Sequence, residues 1–181
     1  MDFTHDTQVM LQTMASLVNT GVDGDSLTTI ADLDDFLAQW PMSGSRQRSA
    51  AEVEQVRQMR HVIAEAWRVH DRDELVEVVN DLFERTDARP YLFRHDDWDW
   101  HLHVARSDQR VADRLGAEAA MGLADLVRAD AVDRLSRCEA DDCDGVLVDL
   151  SKNRSRRFCS VTCANRTHAA ASRSRRAAQS G

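Results

Sequence analysis

The sequence predicts a mainly α protein: a helical N-terminal domain with one small β-hairpin, then a small module of short β-strand and C-terminal helix. Three observations carry that prediction. Apolar residues recur at three-to-four spacing over five stretches before residue 130. An apolar content of 43% and only two prolines in 181 residues argue against disorder over most of the length. All four cysteines fall between residues 138 and 163, as two close pairs. The first two features describe a body with its own core, spanning residues 1–134. The third describes a satellite, residues 135–181, too poor in apolar side chains to fold on hydrophobic burial alone.

The elements follow in chain order. Residues 7–20 place Val9, Met10, Met14, Leu17 and Val18 on one helical face, with Thr4 to Asp6 as caps. Gly21-Val-Asp-Gly-Asp25 is a turn. A second helix is predicted from about Thr28, with Leu33, Phe36, Leu37 and Trp40 inward, and Pro41 stops it. Ser49-Ala-Ala-Glu52 has the spacing of a capping box, in which serine and glutamate satisfy orphan backbone donors. The helix it opens buries Val53, Val56, Met59, Ile63 and Trp67. Asp71-Arg-Asp-Glu74 repeats the start signal for a face of Leu75, Val78, Val79, Leu82 and Phe83, ending near Asp87 before Pro90.

The period then changes. Tyr91-Leu-Phe93 is rich in strand formers and Trp98 to Val104 alternates, so the two are predicted to pair as a hairpin across Arg94-His-Asp-Asp97. A long helix from about Asp108 to Arg128 follows, carrying Val111, Leu115, Leu123, Leu126 and Val127. Gly116 and Gly122 inside it each cost roughly 1 kcal/mol against alanine, which points to close packing at both.

The net charge of −8 hides an uneven distribution. Residues 1–136 hold 14 arginines against 26 acids, whereas residues 137–181 hold 9 basic residues against 5 acids. From Leu150 onward there are 8 basic residues and no acid. An acidic body with a basic end suggests a tail aimed at a polyanion; a merely solubilising tail is the competing reading. No apolar run approaches the ~18 residues of a membrane span. The start, Met1-Asp-Phe-Thr-His-Asp6, lacks the basic and apolar regions of a signal peptide, which predicts a cytoplasmic protein.

In such a compartment thiols stay reduced, and paired cysteines usually hold metal. Cys138, Cys143, Cys159 and Cys163 offer four thiolates, and closely spaced pairs close a tetrahedral zinc site with little loop entropy. Two disulfides are the alternative and would need an oxidising compartment. Val146-Leu-Val148 reads as a short strand between the pairs, and Ser160 as the cap of a helix that carries Cys163 in its first turn and runs through Arg176. A helix N-terminus favours thiolate. The order of knuckle, strand, basic loop and helix-borne cysteines looks like a treble-clef finger with one structural zinc ion.

Arg137-Cys138, Cys143, Asp149, Asn153-Arg154-Ser-Arg-Arg157, Phe158-Cys159 and Cys163-Ala-Asn-Arg166 resemble the CGNR zinc finger, named for Cys-Gly-Asn-Arg. That finger usually follows a helical domain called ABATE, found in bacterial stress-linked transcription regulators. Leu17-Val-Asn19-Thr20, Asp25, Leu27, Leu33 and Trp40 are similar to its opening. The resemblance is specific over 137–176 and loose over 1–136. It implies a zinc-dependent nucleic-acid-binding module and a sensory partner domain. Ala164 stands where the family has glycine, which suits a helix but puts any close backbone approach there in doubt.

A zinc ion with four thiolates carries a charge of about −2, so nearby arginines offset it as well as reaching outward. Arg154, Arg156, Arg157, Arg166, Arg173, Arg175 and Arg176 are the candidates for phosphate contacts with DNA. Arg166 is read as structural too, paired with Asp149, and Asn165 as a backbone-bonding residue. His168 is read as a surface residue beyond the ligands. His101 and His103 share one strand parity and are read as surface histidines rather than a metal pair. Trp98 and Trp100 share the other, as candidates for a small-molecule pocket, with hairpin packing as the rival. No nucleophile motif, phosphate-binding glycine loop or histidine–glutamate metal signature occurs, so no enzyme is predicted. The preferred reading is a DNA-binding transcription regulator whose helical domain senses a ligand or dimerises. A protein- or RNA-interaction finger is the first alternative. A small-molecule-binding helical domain held by a structural zinc is the second.

Overall fold

The computed structural model describes residues 3–94 and 100–179. Helix α1 (His5–Asn19) starts where the Thr4 hydroxyl accepts the Thr7 amide. Its buried stripe is Leu11, Met14, Ala15, Leu17 and Val18, while Val9 and Met10 are half-buried at its edge. Helix α2 (Ile30–Gln39) has a reciprocal capping box between Thr29 and Asp32 and buries Leu33 and Phe36.

The box predicted at the start of α3 (Ala50–Ala64) forms in one half only. The Ser49 hydroxyl accepts the Glu52 amide at 3.2 Å. The Glu52 carboxylate reaches past Ser49 to the amides of Gln47 (2.9 Å) and Arg48 (3.2 Å) and to the Arg46 guanidinium (3.0 Å). Arg48 lies in the left-handed region at φ 49°, which curls those amides toward the carboxylate. A 3₁₀ turn, Glu65–Trp67, follows, so Trp67 leaves the α3 stripe while remaining buried. Helix α4 (Arg72–Arg85) is capped by Asp71, and Glu74 returns to the His70 amide at 2.7 Å.

Strands β1 (Tyr91–Phe93) and β2 (His101–His103) pair antiparallel with Leu92 opposite Leu102. The predicted pairing therefore forms over 91–93 and 101–103; the predicted turn residues 95–97 and strand start at 98–99 lie outside the described residues. Helix α5 (Val111–Arg128) is the central element, packed on α1, α3 and α4. Its glycines explain how closely these helices approach. A Cβ on Gly116 would stand 2.6 Å from Met59 Sδ and 2.9 Å from Thr86 Cγ2; one on Gly122 would stand 3.2 Å from Met10 Cβ.

A second 3₁₀ turn, Val132–Arg134, leads into β3 (Leu135–Arg137), which pairs antiparallel with β4 (Val146–Val148). Helix α6 (Val161–Gln179) closes the described chain. Val146 and Val148 belong to the same buried cluster as the helical body, so the apolar core continues across the predicted boundary. Asn19 at the end of α1 clasps that strand edge. Its side-chain amide donates to the Val146 carbonyl and accepts the Val146 amide, both at 2.8 Å. The Trp67 indole donates to the Leu147 carbonyl at 3.0 Å. Among the described residues no helix is long and apolar enough to cross a membrane.

Candidate metal centre and nucleic-acid interface

Two separate pieces of chain bring the sulfurs together. The first is a knuckle between β3 and β4, closed by the Cys143 amide on the Ala140 carbonyl (3.1 Å) and the Cys138 amide on the Gly145 carbonyl (2.7 Å). Gly145 has no room for a side chain, because a Cβ would lie 2.9 Å from Cys159 Sγ and 3.1 Å from Cys143 Sγ. The second is the start of α6, where the Ser160 hydroxyl accepts the Cys163 amide at 3.1 Å and seats that thiol in the first turn. Amides also point at sulfur: Gly145 at Cys143 Sγ (3.3 Å) and Cys159 at Cys138 Sγ (3.5 Å).

All four Sγ atoms lie within 4.8 Å of one another. Cys143 and Cys159 are 3.7 Å apart, and Cys159 and Cys163 are 3.6 Å apart. A tetrahedron built on Zn–S bonds of ~2.3 Å has edges of about 3.8 Å, so the donor set fits one zinc ion, and all four cysteines are free rather than bridged. Without a cation the thiols crowd. Burial, then the neighbouring sulfurs, pushes Cys159 well above its ordinary range, and burial raises Cys143. Burial also works against Cys138, but the amides of Cys159 and Ala140 outweigh it and lower that thiol. A zinc ion held by the Cys138, Cys143, Cys159 and Cys163 thiolates would relieve that crowding and, in so closed a site, would serve to stabilise the fold. Among the described residues these cysteines are the one group of metal-ligating side chains; His168 is exposed and meets the Phe158 ring edge-on at 5.9 Å.

The basic loop between β4 and Cys159 is organised by Asp149, which is 5% exposed. Its Oδ1 accepts the Ser151 amide and its Oδ2 the Arg156 amide, both at 2.8 Å. Burial raises this carboxyl, but Ser151, the Arg156 amide and Arg134 together hold it below the usual carboxylate range. Arg134, also buried, donates to the Asp149 and Ser151 carbonyls.

The candidate arginines fall into two groups. Arg154 pairs with Asp133, and Arg157 with Glu139. Arg156 donates to the carbonyls of Phe158 (3.2 Å) and Cys159 (2.9 Å). Arg166 pairs with Asp142 at 2.8 Å and approaches Cys163 Sγ at 3.7 Å. The partner expected for Arg166, Asp149, instead turns toward the loop amides. Arg173, Arg175 and Arg176 are exposed on the distal half of α6. That helix is 19 residues long, about 28 Å at ~1.5 Å per residue. Beyond Cys163 all its described side chains are exposed or half-exposed. Ala164 sits in regular helix, its amide 3.2 Å from the Ser160 carbonyl, and Asn165 is exposed.

In the helical body, Trp100 is 64% exposed with the Arg94 guanidinium 5.5 Å from its ring centre. Trp98 lies outside the described residues. The His103 ring stacks on Tyr91 at 5.7 Å. Sequence reasoning missed Asn19, Trp67, Arg134 and Gly145 as supports of the site. Only Gly145 had a signal, a glycine two residues past a cysteine; the Asn19 and Trp67 contacts span 127 and 80 residues.

Fold and site define a zinc-finger protein with a helical N-terminal body. The CGNR zinc finger family matches residues 134–176. The ABATE family, described as “Putative stress-induced transcription regulator”, matches residues 12–130, and the chain belongs to it. No curated protein matches the chain. Neither matched family is an enzyme family.

Proposed function

We propose that the protein is a zinc-dependent DNA-binding transcription regulator. In this reading residues 135–181 grip the phosphate backbone, and residues 1–134 sense a small molecule or dimerise. The observation that carries it is α6: an exposed helix bearing Arg166, Arg173, Arg175 and Arg176, in a stretch with no acid from Leu150 onward. Beyond Cys163 none of its described side chains is buried, so that part of the helix gains little from the body, and its charge suits a polyanion. The acidic body is repelled from the same surface, which orients the approach. The reading places the protein in the cytoplasm, where the four thiols stay reduced for zinc.

The loop arginines are not excluded by their present partners. The pairs of Arg154, Arg157 and Arg166 are solvent-exposed, and such pairs contribute only ~0–1 kcal/mol each, so phosphate can displace the carboxylates. Contacts from Arg173, Arg175 and Arg176 alone would give a log–log salt slope of about −3, and from all seven arginines roughly −6, at ~0.9 per contact. One finger reads few bases, so a sequence-specific regulator of this design works as a dimer.

The test is fluorescence anisotropy of the zinc-loaded protein on duplex DNA across a salt series. Binding that weakens within that slope range, and falls sharply when Arg173, Arg175 and Arg176 are all replaced by alanine, is the expected result. Alanine preserves the helix, so the loss would report charge rather than unfolding. No binding at low salt would overturn the reading in favour of a protein- or RNA-interaction finger.

A further inference from the structure

Six large hydrophobic side chains are exposed among the described residues, and five of them lie on or beside one hairpin. They are Tyr91, Leu92 and Phe93 of β1, Leu102 of β2, and Trp100 just before β2; the sixth, Val161, starts α6. Successive side chains of a strand point to opposite faces, yet Leu92 is 63% and Phe93 47% exposed, so both faces of the ribbon are apolar and open. Leu92 stands opposite Leu102 in the register. On the other face the Tyr91, Phe93 and His103 rings cluster at 5.6–6.2 Å. A concentration of apolar surface of this kind marks an interaction site.

The hairpin is supported by the body on one side. β2 is its inner strand: Leu102 and His103 line a cleft against α1, residues 41–43, and Arg114 and Glu118 of α5. β1 is the outer strand, with β2 on one side and no described strand on the other. A two-stranded ribbon is only marginally stable in water, and an exposed apolar edge is a template for a further strand.

We propose that β1 is the interface between two copies of this chain. It pairs antiparallel with β1 of the second copy about a two-fold axis near Leu92, giving a four-stranded sheet. A strand antiparallel to its own copy is self-complementary, so one surface serves both partners. The area suffices. A large apolar side chain carries on the order of 200 Å² and about half is open here, so five offer about 500 Å² per chain and ~1,000 Å² per pair, the least a specific interface needs. Charge favours this place over the rest of an acidic body. Each copy carries −8, but residues 91–94 and 100–103 contain no acid. Next to the strands Arg89 pairs with Asp87 and Arg106 with Asp108, both at 3.0 Å, so those charges are balanced within each copy. Asp96, Asp97 and Asp99 lie between the strands in sequence, so screening should strengthen the association, the reverse of the salt effect on DNA binding. The proposal rests on the dimeric form of the regulator reading and names the surface that form uses; it needs nothing from α6.

Sedimentation velocity of the full-length zinc-loaded protein from ~1 to ~100 μM, at low and high salt, tests it. A dimer that tightens with salt is expected. Leu92→Glu should raise its dissociation constant about tenfold or more, with circular dichroism and zinc content unchanged because Leu92 is exposed within one chain. Amide exchange over residues 91–93 should slow as protein concentration rises, a protection that face packing without strand pairing would not give. A monomer throughout the range, a dimer indifferent to Leu92→Glu, or exchange at 91–93 indifferent to concentration would overturn the proposal. Dimerisation without DNA binding would uphold the interface and overturn the regulator reading. DNA binding by a protein that stays monomeric would overturn the interface and leave DNA binding standing.

Discussion

Asp149 links the core to the basic loop, and replacing it with alanine isolates what that link contributes. The substitution removes two charge-assisted bonds, from the Ser151 and Arg156 amides, each 2.8 Å long. Bonds to a charged group contribute about 1.5–3 kcal/mol each when buried. Arg156 is exposed and Ser151 only half-buried, so water recovers part of both amides and the net cost should be about 2–4 kcal/mol. Urea unfolding followed by tryptophan fluorescence reads it well, because the Trp67 indole donates to Leu147, in the strand just before this loop. Asp149→Asn keeps an acceptor oxygen and should cost roughly half as much. The pH dependence has a definite sign. The folded carboxyl lies below its ordinary value, so its contribution is complete above the unfolded value near ~4 and is lost as pH falls through the folded value. The gap between wild type and Asp149→Ala should therefore close in acid. A difference below ~0.5 kcal/mol at neutral pH would refute the assignment of Asp149 as the organiser of this loop.

Three other perturbations have expected outcomes. Zinc analysis of the purified protein should give one ion per chain, and a strong chelator or Cys163→Ser should unfold the finger; because four thiols must ionise to bind, zinc affinity should fall steeply as pH drops. Gly116→Ala should destabilise by about 1–3 kcal/mol in urea melts although alanine is the better helix former, since Met59 and Thr86 already fill the space. For Glu118, a folded carboxyl raised to about 7 from 4.5 binds its proton more tightly than the unfolded chain does. Stability should then fall as pH rises between those values, by at most about 3 kcal/mol, and Glu118→Leu should flatten that slope in thermal melts at fixed salt.

What the sequence made legible was local or periodic. The helix starts at Ser49 and Asp71, the pairing of residues 91–93 with a strand inside 98–104, the tight packing at Gly116 and the thiol set could all be read from spacing, because each follows from backbone geometry within a few residues or from a ligand count. The half-formed box at Glu52 was not legible, since its outcome depends on a left-handed turn at Arg48 that no residue type demands. Arg166 was matched to the wrong acid for a related reason. Asp142 and Asp149 are both near in sequence, and only the fold decides that one faces the helix while the other faces loop amides. The cleft lined by Arg114 and Glu118 left no trace in the pattern, because its walls come from four separate segments.

The division into a helical body and a metal-held finger also looks different in three dimensions. A finger tethered as a separate bead would leave β4 half-solvated, whereas Val146, Leu147 and Val148 are 4%, 1% and 2% exposed. Two of them complete the core of the helices, and Asn19 fills both hydrogen-bonding positions of Val146 as a neighbouring strand would. Gly145, one residue before that strand, fits tightly against two of the sulfurs. Zinc binding, the placement of β4 and the packing of α1 are therefore linked through a rigid path only a few residues long. Free energy released on closing the four-thiolate site is shared with the body, and anything that shifts α1 against α5 acts on the geometry of the knuckle. Coupling of that kind is what a regulator that senses through its helical body and binds through a basic helix starting at its metal site would require.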